Sequence, residues 1–218
     1  MEITTSLTER CEEHGITFES LVYVSLMLAT ARAIATANSE TNNENLRLWG
    51  VLVKDMREGS DRRTIGVFFS LLDFVHNFPN RNQLETLDIL WDVAKDFIKD
   101  TNDSISMGSH LSSMVFTEYI SNITKLYSKY FTTPLLCPSF GLQFLADYDE
   151  EHEMFPGLTK VKSFSTVHSS TTSFPLPVIS CYKHKKKFYA NLSFSSETSS
   201  SQAMTSLLDE FMNILSSL

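Results

Sequence analysis

Residues 46–74 read LRLWGVLVKDMREGSDRRTIGVFFSLLDF, and this stretch decides the fold. It contains two apolar runs rich in the β-branched and aromatic residues that favour strands. A polar hinge with Asp55, Met56 and Arg57 and a charged loop separate the two runs, and Ile65 and Gly66 open the second. Runs this apolar predict two strands that are both buried in a sheet.

The segments before this stretch predict two helices. Ser6 and Glu9 form a capping-box pattern at the start of a short helix, and Gly15 is placed to end it. Thr17 can cap a second helix that runs to about residue 38. The first half of that helix has almost no polar face, so we expect it to be buried.

The segments after the strand pair predict a turn and two further helices. Residues 77–82 are typical of a turn, and Asn82 with Glu85 suggests a capping box for an amphipathic helix that ends near Lys99. Residues 111–130 carry an aromatic stripe at helical spacing, which predicts a long third helix.

The last third of the chain changes towards Ser, Thr, Phe and Val, a composition typical of strands. Predicted strands cover residues 141–146, 161–168, 178–182 and 188–194, and the last two form a hairpin. An amphipathic helix closes the chain. This order predicts an α/β (α+β) fold, a mixed β-sheet covered by amphipathic helices, in a single domain of residues 1–218.

The composition of the 218 residues excludes several classes of protein. Hydrophobic residues make up 42% and charged residues 20%, which disfavours disorder, and the net charge of −8 disfavours general nucleic-acid binding. The three cysteines are odd in number and form no Cys-x-x-Cys pair, which favours a reducing compartment and disfavours a thiolate zinc site. No signal-peptide pattern is present. The apolar window at residues 21–31 is shorter than the roughly 20 residues of a membrane span, so we predict a cytoplasmic protein without one.

Several elements together resemble a known family. They are the Asp-Met-Arg element at residues 55–57, the following Ile65-Gly66, the late hairpin with its closing helix, and the approach to the long Ala-rich helix through Leu7, Cys11, Gly15 and Thr17. This pattern resembles the C-terminal half of the CoA-dependent acyltransferase superfamily, which includes condensation domains, alcohol acetyltransferases and plant BAHD acyltransferases. The resemblance implies a fold like half of chloramphenicol acetyltransferase.

The resemblance also implies a chemistry. Members transfer an acyl group from acyl-CoA, a co-substrate and not a tightly bound cofactor, to an alcohol or amine. Their general base is the His of a His-x-x-x-Asp motif in the N-terminal half. The residues four positions after the six histidines of this chain are Phe18, Asn80, Met114, Pro156, Thr172 and Phe188, so the motif is absent from these 218 residues.

Two functional hypotheses follow. The first is the C-terminal domain of an acyl-CoA-dependent O- or N-acyltransferase, a piece of a two-domain enzyme that is inactive alone. The second is a non-catalytic binding or assembly module derived from the same fold. In either case we expect a partner on an exposed apolar face, namely the missing N-terminal half or another protein.

The candidate site residues are Asp55, Arg57 and Gly66, which the resemblance implies to be structural supports of the substrate channel. Arg57 would form an ion pair with Asp55 or a nearby acidic group, and Gly66 would allow two backbones to approach closely. We predict no catalytic residue and no metal ligand in this chain.

Three other features have an ordinary explanation beside a functional one. His168 could face a cleft, but a lone histidine is more often a surface or satisfied residue. The run DYDEEHE at residues 147–153 could hold a cation, but such runs are usually solvated loops. The run KHKKK at residues 183–187 could attract the phosphates of CoA, and a solvated hairpin turn is the preferred interpretation.

Overall fold

The computed structural model describes residues 5–37, 46–55, 69–78, 84–108, 139–147, 176–184 and 187–218. Four helices lie in these ranges: α1 (Thr5–His14), α2 (Phe18–Ala37), α3 (Ile89–Ser106) and α4 (Ser201–Ser217). Five strands accompany them: β1 (Leu46–Asp55), β2 (Phe69–Phe78), β3 (Phe140–Asp147), β4 (Val178–His184) and β5 (Lys187–Ser193).

The five strands form one mixed sheet in the order β2-β1-β3-β4-β5. The central strands β1, β3 and β4 run parallel, and β2 and β5 lie antiparallel to their neighbours. The pairing of β3 with β4 shifts register between Phe144 and Ala146. The predicted fold class, a mixed sheet flanked by helices, is therefore confirmed.

Helix α2 lies at the centre of the core. Every residue from Ser20 to Ala31 is buried, because the helix packs on α3 and α4 as well as on β1 and β3. At 20 residues it is also long and apolar enough to cross a membrane, which residues 21–31 alone did not predict. About two thirds of it is buried inside the protein (67%), and a soluble core helix meets the same criteria, so this is weak evidence for a span.

The boundary between α1 and α2 agrees with the sequence signals. Gly15 has φ = 68°, its N–H donates to Glu12 O, and the N–H of Ile16 donates to Cys11 O. This is the Schellman arrangement that the predicted glycine stop requires. The Thr17 hydroxyl then accepts from the Ser20 N–H at 3.1 Å, which confirms Thr17 as a cap. Ser6, in contrast, lies inside α1, so it does not cap that helix.

The predicted bounds of β2 and α3 were wrong. The strand continues through Phe78, so Asn77 is paired in the ladder opposite Arg47 and does not begin a turn. Helix α3 begins after Asp88 and ends at Ser106, beyond the expected end near Lys99. Asn82 of the expected capping box lies outside the described residues, as do the predicted helix at 111–130 and the predicted strand at 161–168.

Strand β2 is not buried on both faces as the apolar run predicted. Leu72, Phe74 and Phe78 point into the core, where α3 packs on the strand. Leu71 and Val75 alternate with them and are 38% and 39% exposed. The strand therefore has one buried and one exposed face, which is usual for antiparallel pairs.

Candidate functional site

The parallel strands end together at one edge of the sheet, which we call the carboxyl edge. Asp55, Asp147 and His184 are the last residues of β1, β3 and β4. The first turn of α2, with Phe18 and Glu19, lies at the same edge, since contacts from both residues reach the ends of these strands. Ligands of open α/β sheets bind outside the carboxyl ends of the strands, so this edge is the candidate site.

Two lysines flank the first turn of α2. Lys54, near the end of β1, forms an ion pair with Glu19 of α2. Lys183 of β4 is only 7% exposed, and its ammonium lies 5.3 Å from the centre of the Phe18 ring, within the range of a cation–π interaction. One of the two positive charges is thus balanced by Glu19, and the other lies against an aromatic face.

The Phe18 ring joins this edge to the core. It contacts Phe144 of β3 and Phe188 of β5 edge-on, with ring centroids 6.0 and 5.8 Å apart. Edge-to-face pairs at such distances are favourable beyond the area they bury, by about 0.5–1.5 kcal/mol each. The first turn of α2 is therefore fixed in place by aromatic packing as well as by the Lys54–Glu19 ion pair.

The nearby thiols are poor nucleophiles. Burial raises the pKa of Cys11 to about 11, although the positive charges of Arg10 and Lys183 lower it in part. Burial also raises the pKa of Cys181 strongly. The reactive form of cysteine is the thiolate, so both side chains stay protonated and unreactive near neutral pH.

Among the side chains that the structure describes, the carboxyl edge combines two lysines with an aromatic ring. Lys54 and Lys183 offer positive charge and Phe18 offers an aromatic surface. No group of three His, Cys, Asp or Glu side chains in the part of the chain that the structure describes could hold a metal ion. His14 and His76 do not lie at this edge: His14 stacks on Trp91 of α3, and His76 lies between Phe74 and Phe78.

The three predicted site residues have different outcomes. Asp55 ends β1, where its backbone pairs with Phe69, so it lies at the carboxyl edge as the strand-ending role requires. Arg57 and Gly66 lie outside the described residues. The Asp55–Arg57 ion pair and the support of a channel therefore stay predictions.

A close approach of side chains to the backbone occurs at Gly50, whereas the approach of two backbones expected at Gly66 stays a prediction. A Cβ atom at Gly50 would overlap Tyr23 Oη and Phe140 Cζ and would lie 2.8 Å from Phe140 Cε2. Tyr23 packs face to face on Phe97 at 4.3 Å, and its hydroxyl is buried with no hydrogen-bond partner among the described residues. A glycine inside a strand run was the signal that could have located this contact.

The three weaker candidates are only partly described. The KHKKK run spans the end of β4 and the start of β5, where His184 pairs with Lys187, and its residues 185–186 lie outside the described residues. Lys183 is the exception to the solvated interpretation because it is buried against Phe18. Asp147 of the acidic run ends β3, whereas the rest of that run and His168 lie outside the described residues.

Two solved structures share this architecture. The epimerization domain from the third module of tyrocidine synthetase B superimposes with a TM-score of 0.58 and 15% identity, over 99% of this chain and 46% of that one. The fold is condensation-domain-like. Polyketide synthase associated protein 5 from Mycobacterium tuberculosis gives a TM-score of 0.53 and 13% identity, over 98% of this chain and 49% of that one.

These similarities show a shared fold alone, because sequence identities of 15% and 13% are too low to indicate a shared activity. The chain spans about half the length of both condensation-domain-like structures. No family model matches the sequence. A search among curated proteins also found no match.

Proposed function

We propose that this chain is the C-terminal half of an acyl-transfer enzyme with a condensation-domain-like fold. In the complete enzyme, acyl-CoA and an alcohol or amine acceptor would meet between two halves. The observation that supports this most strongly is the coverage of the structural match, which takes in 99% of this chain and 46% of the epimerization domain. The absence of His-x-x-x-Asp from the 218 residues fits a division in which the other half supplies the general base.

The carboxyl edge is the surface that would serve such a site. Lys54, paired with Glu19, and the buried Lys183 lie there beside the aromatic face of Phe18. CoA carries phosphates and an adenine ring, and its phosphates would bind here by replacing Glu19 as the partner of Lys54. Asp55 and Arg57 would hold the end of β1 in position there.

The proposal predicts a purified chain without transferase activity. The test incubates the chain with acetyl-CoA and longer acyl-CoA donors, together with alcohol and amine acceptors, and detects acyl products by mass spectrometry. Transfer or hydrolysis at an enzyme-like rate by the chain alone would show that the missing-half argument is wrong.

The decisive step restores the other half. The coding sequence upstream of Met1, read from a full-length transcript, should continue in frame and contain His-x-x-x-Asp. The extended protein should then transfer acyl groups, and an alanine variant of the motif histidine should not. An upstream sequence without the motif would exclude the acyltransferase proposal.

A second candidate, a non-catalytic assembly module, has an observation of its own. Leu71 and Val75 of β2 are exposed and lie directly opposite Val53 and Trp49 of β1, so this sheet face carries apolar side chains on both sides of the exposed Asp73. Exposed apolar patches mark interaction sites. A second copy of the chain could cover this face.

The test for this candidate is the concentration dependence of the sedimentation coefficient. The double variant Leu71→Thr, Val75→Thr should reduce self-association, because threonine keeps the strand propensity and removes the apolar surface. Met107→Thr is the matched control, since Met107 is 76% exposed at the end of α3, away from this face. Equal behaviour of the two variants, or a monomeric wild-type protein, would count against self-assembly through this face.

A further inference from the structure

His76 occupies an unusual position for an ionisable side chain. It lies on the core face of β2, between the buried residues Phe74 and Phe78. Its ring is 6.2 Å from that of Phe74 at 19°, and 4.7 Å from that of Phe78 at 71°. Helix α3 packs on this strand. The half-buried imidazole therefore lies on the face of β2 that α3 covers, beside the contact of Phe74 with Phe97 of α3.

Few charges act on this imidazole from the elements around it. The residue opposite it on β1 is Leu48, which is buried and apolar. On α3, the carboxylate of Asp96 favours the protonated form. Burial has the larger effect, and the net result is that the pKa of His76 is lowered from its ordinary value.

We propose that His76 makes the packing of α3 on β2 sensitive to pH, so that α3 loosens from the sheet when the solution becomes mildly acidic. This device stands apart from the proposed acyl-transfer function. Its physical basis is that a neutral imidazole packs well between two phenyl rings, whereas a charged one must be hydrated. The attraction of the exposed Asp96 carboxylate offsets the cost of burying the charged imidazole only in part.

The direction of the effect follows from proton linkage. The folded state lowers the pKa of His76, so below the unfolded pKa of about 6.5 the unfolded chain binds more protons than the folded one. The contribution of His76 to the free energy of unfolding is fully present above about pH 6.5, and it is lost as the pH falls towards the pKa of His76 in the folded state. One such group can reduce the folding equilibrium constant by at most about tenfold per pH unit in this range. Ordinary carboxylates titrate near pH 4, so they stay charged through this window.

The experiment compares urea unfolding of the 218-residue chain at pH 7.5 and pH 5.5. Wild type should lose up to about tenfold in its folding equilibrium constant through His76, and His76→Phe should abolish that part of the loss. Asp96→Asn should enlarge the loss, because it removes the carboxylate that favours the charged imidazole. Asp96 is exposed, so this variant should fold normally.

Hydrogen exchange then locates the change. Amides of α3 and β2 should lose protection between pH 7.5 and pH 5.5, after correction for the intrinsic rates, and amides of α4 should not. The proposal is overturned if His76→Phe keeps the pH dependence of the wild-type protein. It is also overturned if Asp96→Asn loses less stability than wild type at pH 5.5, or if all amides lose protection equally. If His76→Phe does not fold, His76→Gln and Asp96→Asn decide the question by the same criteria.

Discussion

The contact between Gly50 and Tyr23 predicts the largest response to a single added methyl group. In Gly50→Ala, the new Cβ would overlap Tyr23 Oη and Phe140 Cζ. Neither ring has room to move, since Tyr23 is 0% and Phe140 1% exposed, and Tyr23 also packs on Phe97 and Phe74. Overpacking of this kind costs about 1–3 kcal/mol. Alanine recovers about 0.5–1 kcal/mol relative to glycine in a strand, so we expect a net loss of about 1–2 kcal/mol.

The Tyr23 hydroxyl supplies the second half of this prediction. It is buried without a hydrogen-bond partner in the part of the chain that the structure describes, and such a group costs about 1–3 kcal/mol. Tyr23→Phe should therefore increase the free energy of unfolding. It also removes one of the two overlaps, so Gly50→Ala should cost less in the Tyr23→Phe background, with a coupling of about 0.5–3 kcal/mol between the two sites.

Urea unfolding followed by circular dichroism and tryptophan fluorescence measures all four free energies. Gly141→Ala is the matched control. Its Cβ would lie 3.1 Å from Leu176 Cδ2 and 3.3 Å from Val178 Cγ2, which are side-chain methyl groups that can shift. The packing argument is refuted if Gly50→Ala and Gly141→Ala lose the same free energy of unfolding, or if Tyr23→Phe is destabilised. Strict additivity of the two changes in the double variant would refute it as well.

Three further predictions concern the helices, and the same urea measurement checks each. Arg32 donates to Leu84 O and to Glu210 Oε1, both at 2.6 Å, so Arg32→Met should lose about 1–2 kcal/mol, and an unchanged midpoint would show that these contacts do not stabilise the fold. Gly15 has φ = 68°, so Gly15→Ala should lose about 1–2 kcal/mol, whereas Gly15→Asn, which tolerates this conformation better, should lose less. Asp100 lies four residues after Asp96 on the exposed side of α3, where the two carboxylates repel each other. Asp100→Asn should therefore raise the free energy of unfolding by about 0.2–0.5 kcal/mol at low salt. A gain that persists in 1 M salt would have another cause, since salt screens this repulsion.

Sequence signals located the elements whose formation depends on near neighbours. The glycine stop at Gly15 and the Thr17 cap involve contacts within five residues, and the structure contains both. Strands β1, β3, β4 and β5 and helix α4 follow the periodicity of their own segments. Local pattern is sufficient at these places because no distant partner competes with it.

Features that depend on distant partners were not predictable in this way. The apolar run of β2 looked buried on both faces, yet Leu71 and Val75 are exposed because the helices pack on the other face of the strand. Lys54 and Glu19 are 35 residues apart, and Arg32 and Glu210 are 178 apart. No spacing rule connects pairs so distant in sequence, since only the packing of α2 on β1 and on α4 in the folded protein brings them together.

Little of the candidate site was predictable from the sequence. Asp55 does end β1, as the strand-ending element indicated, and its role at the channel stays a prediction. Lys183 was considered within the KHKKK run but expected to be solvated, and Lys54 was missed, since their proximity to the first turn of α2 depends on the parallel order of β1, β3 and β4. The cytoplasmic location stays a prediction.

The burial of α2 has a consequence for synthesis in the cell. Helix α4, the last of the elements that cover it, begins at Ser201, about 160 residues after the end of α2. At 5–20 residues per second, roughly 8–33 seconds pass in which an apolar helix lacks part of the surface that finally covers it. Chaperones that hold nascent chains should therefore raise the soluble yield of this protein, and slower translation without them should lower it.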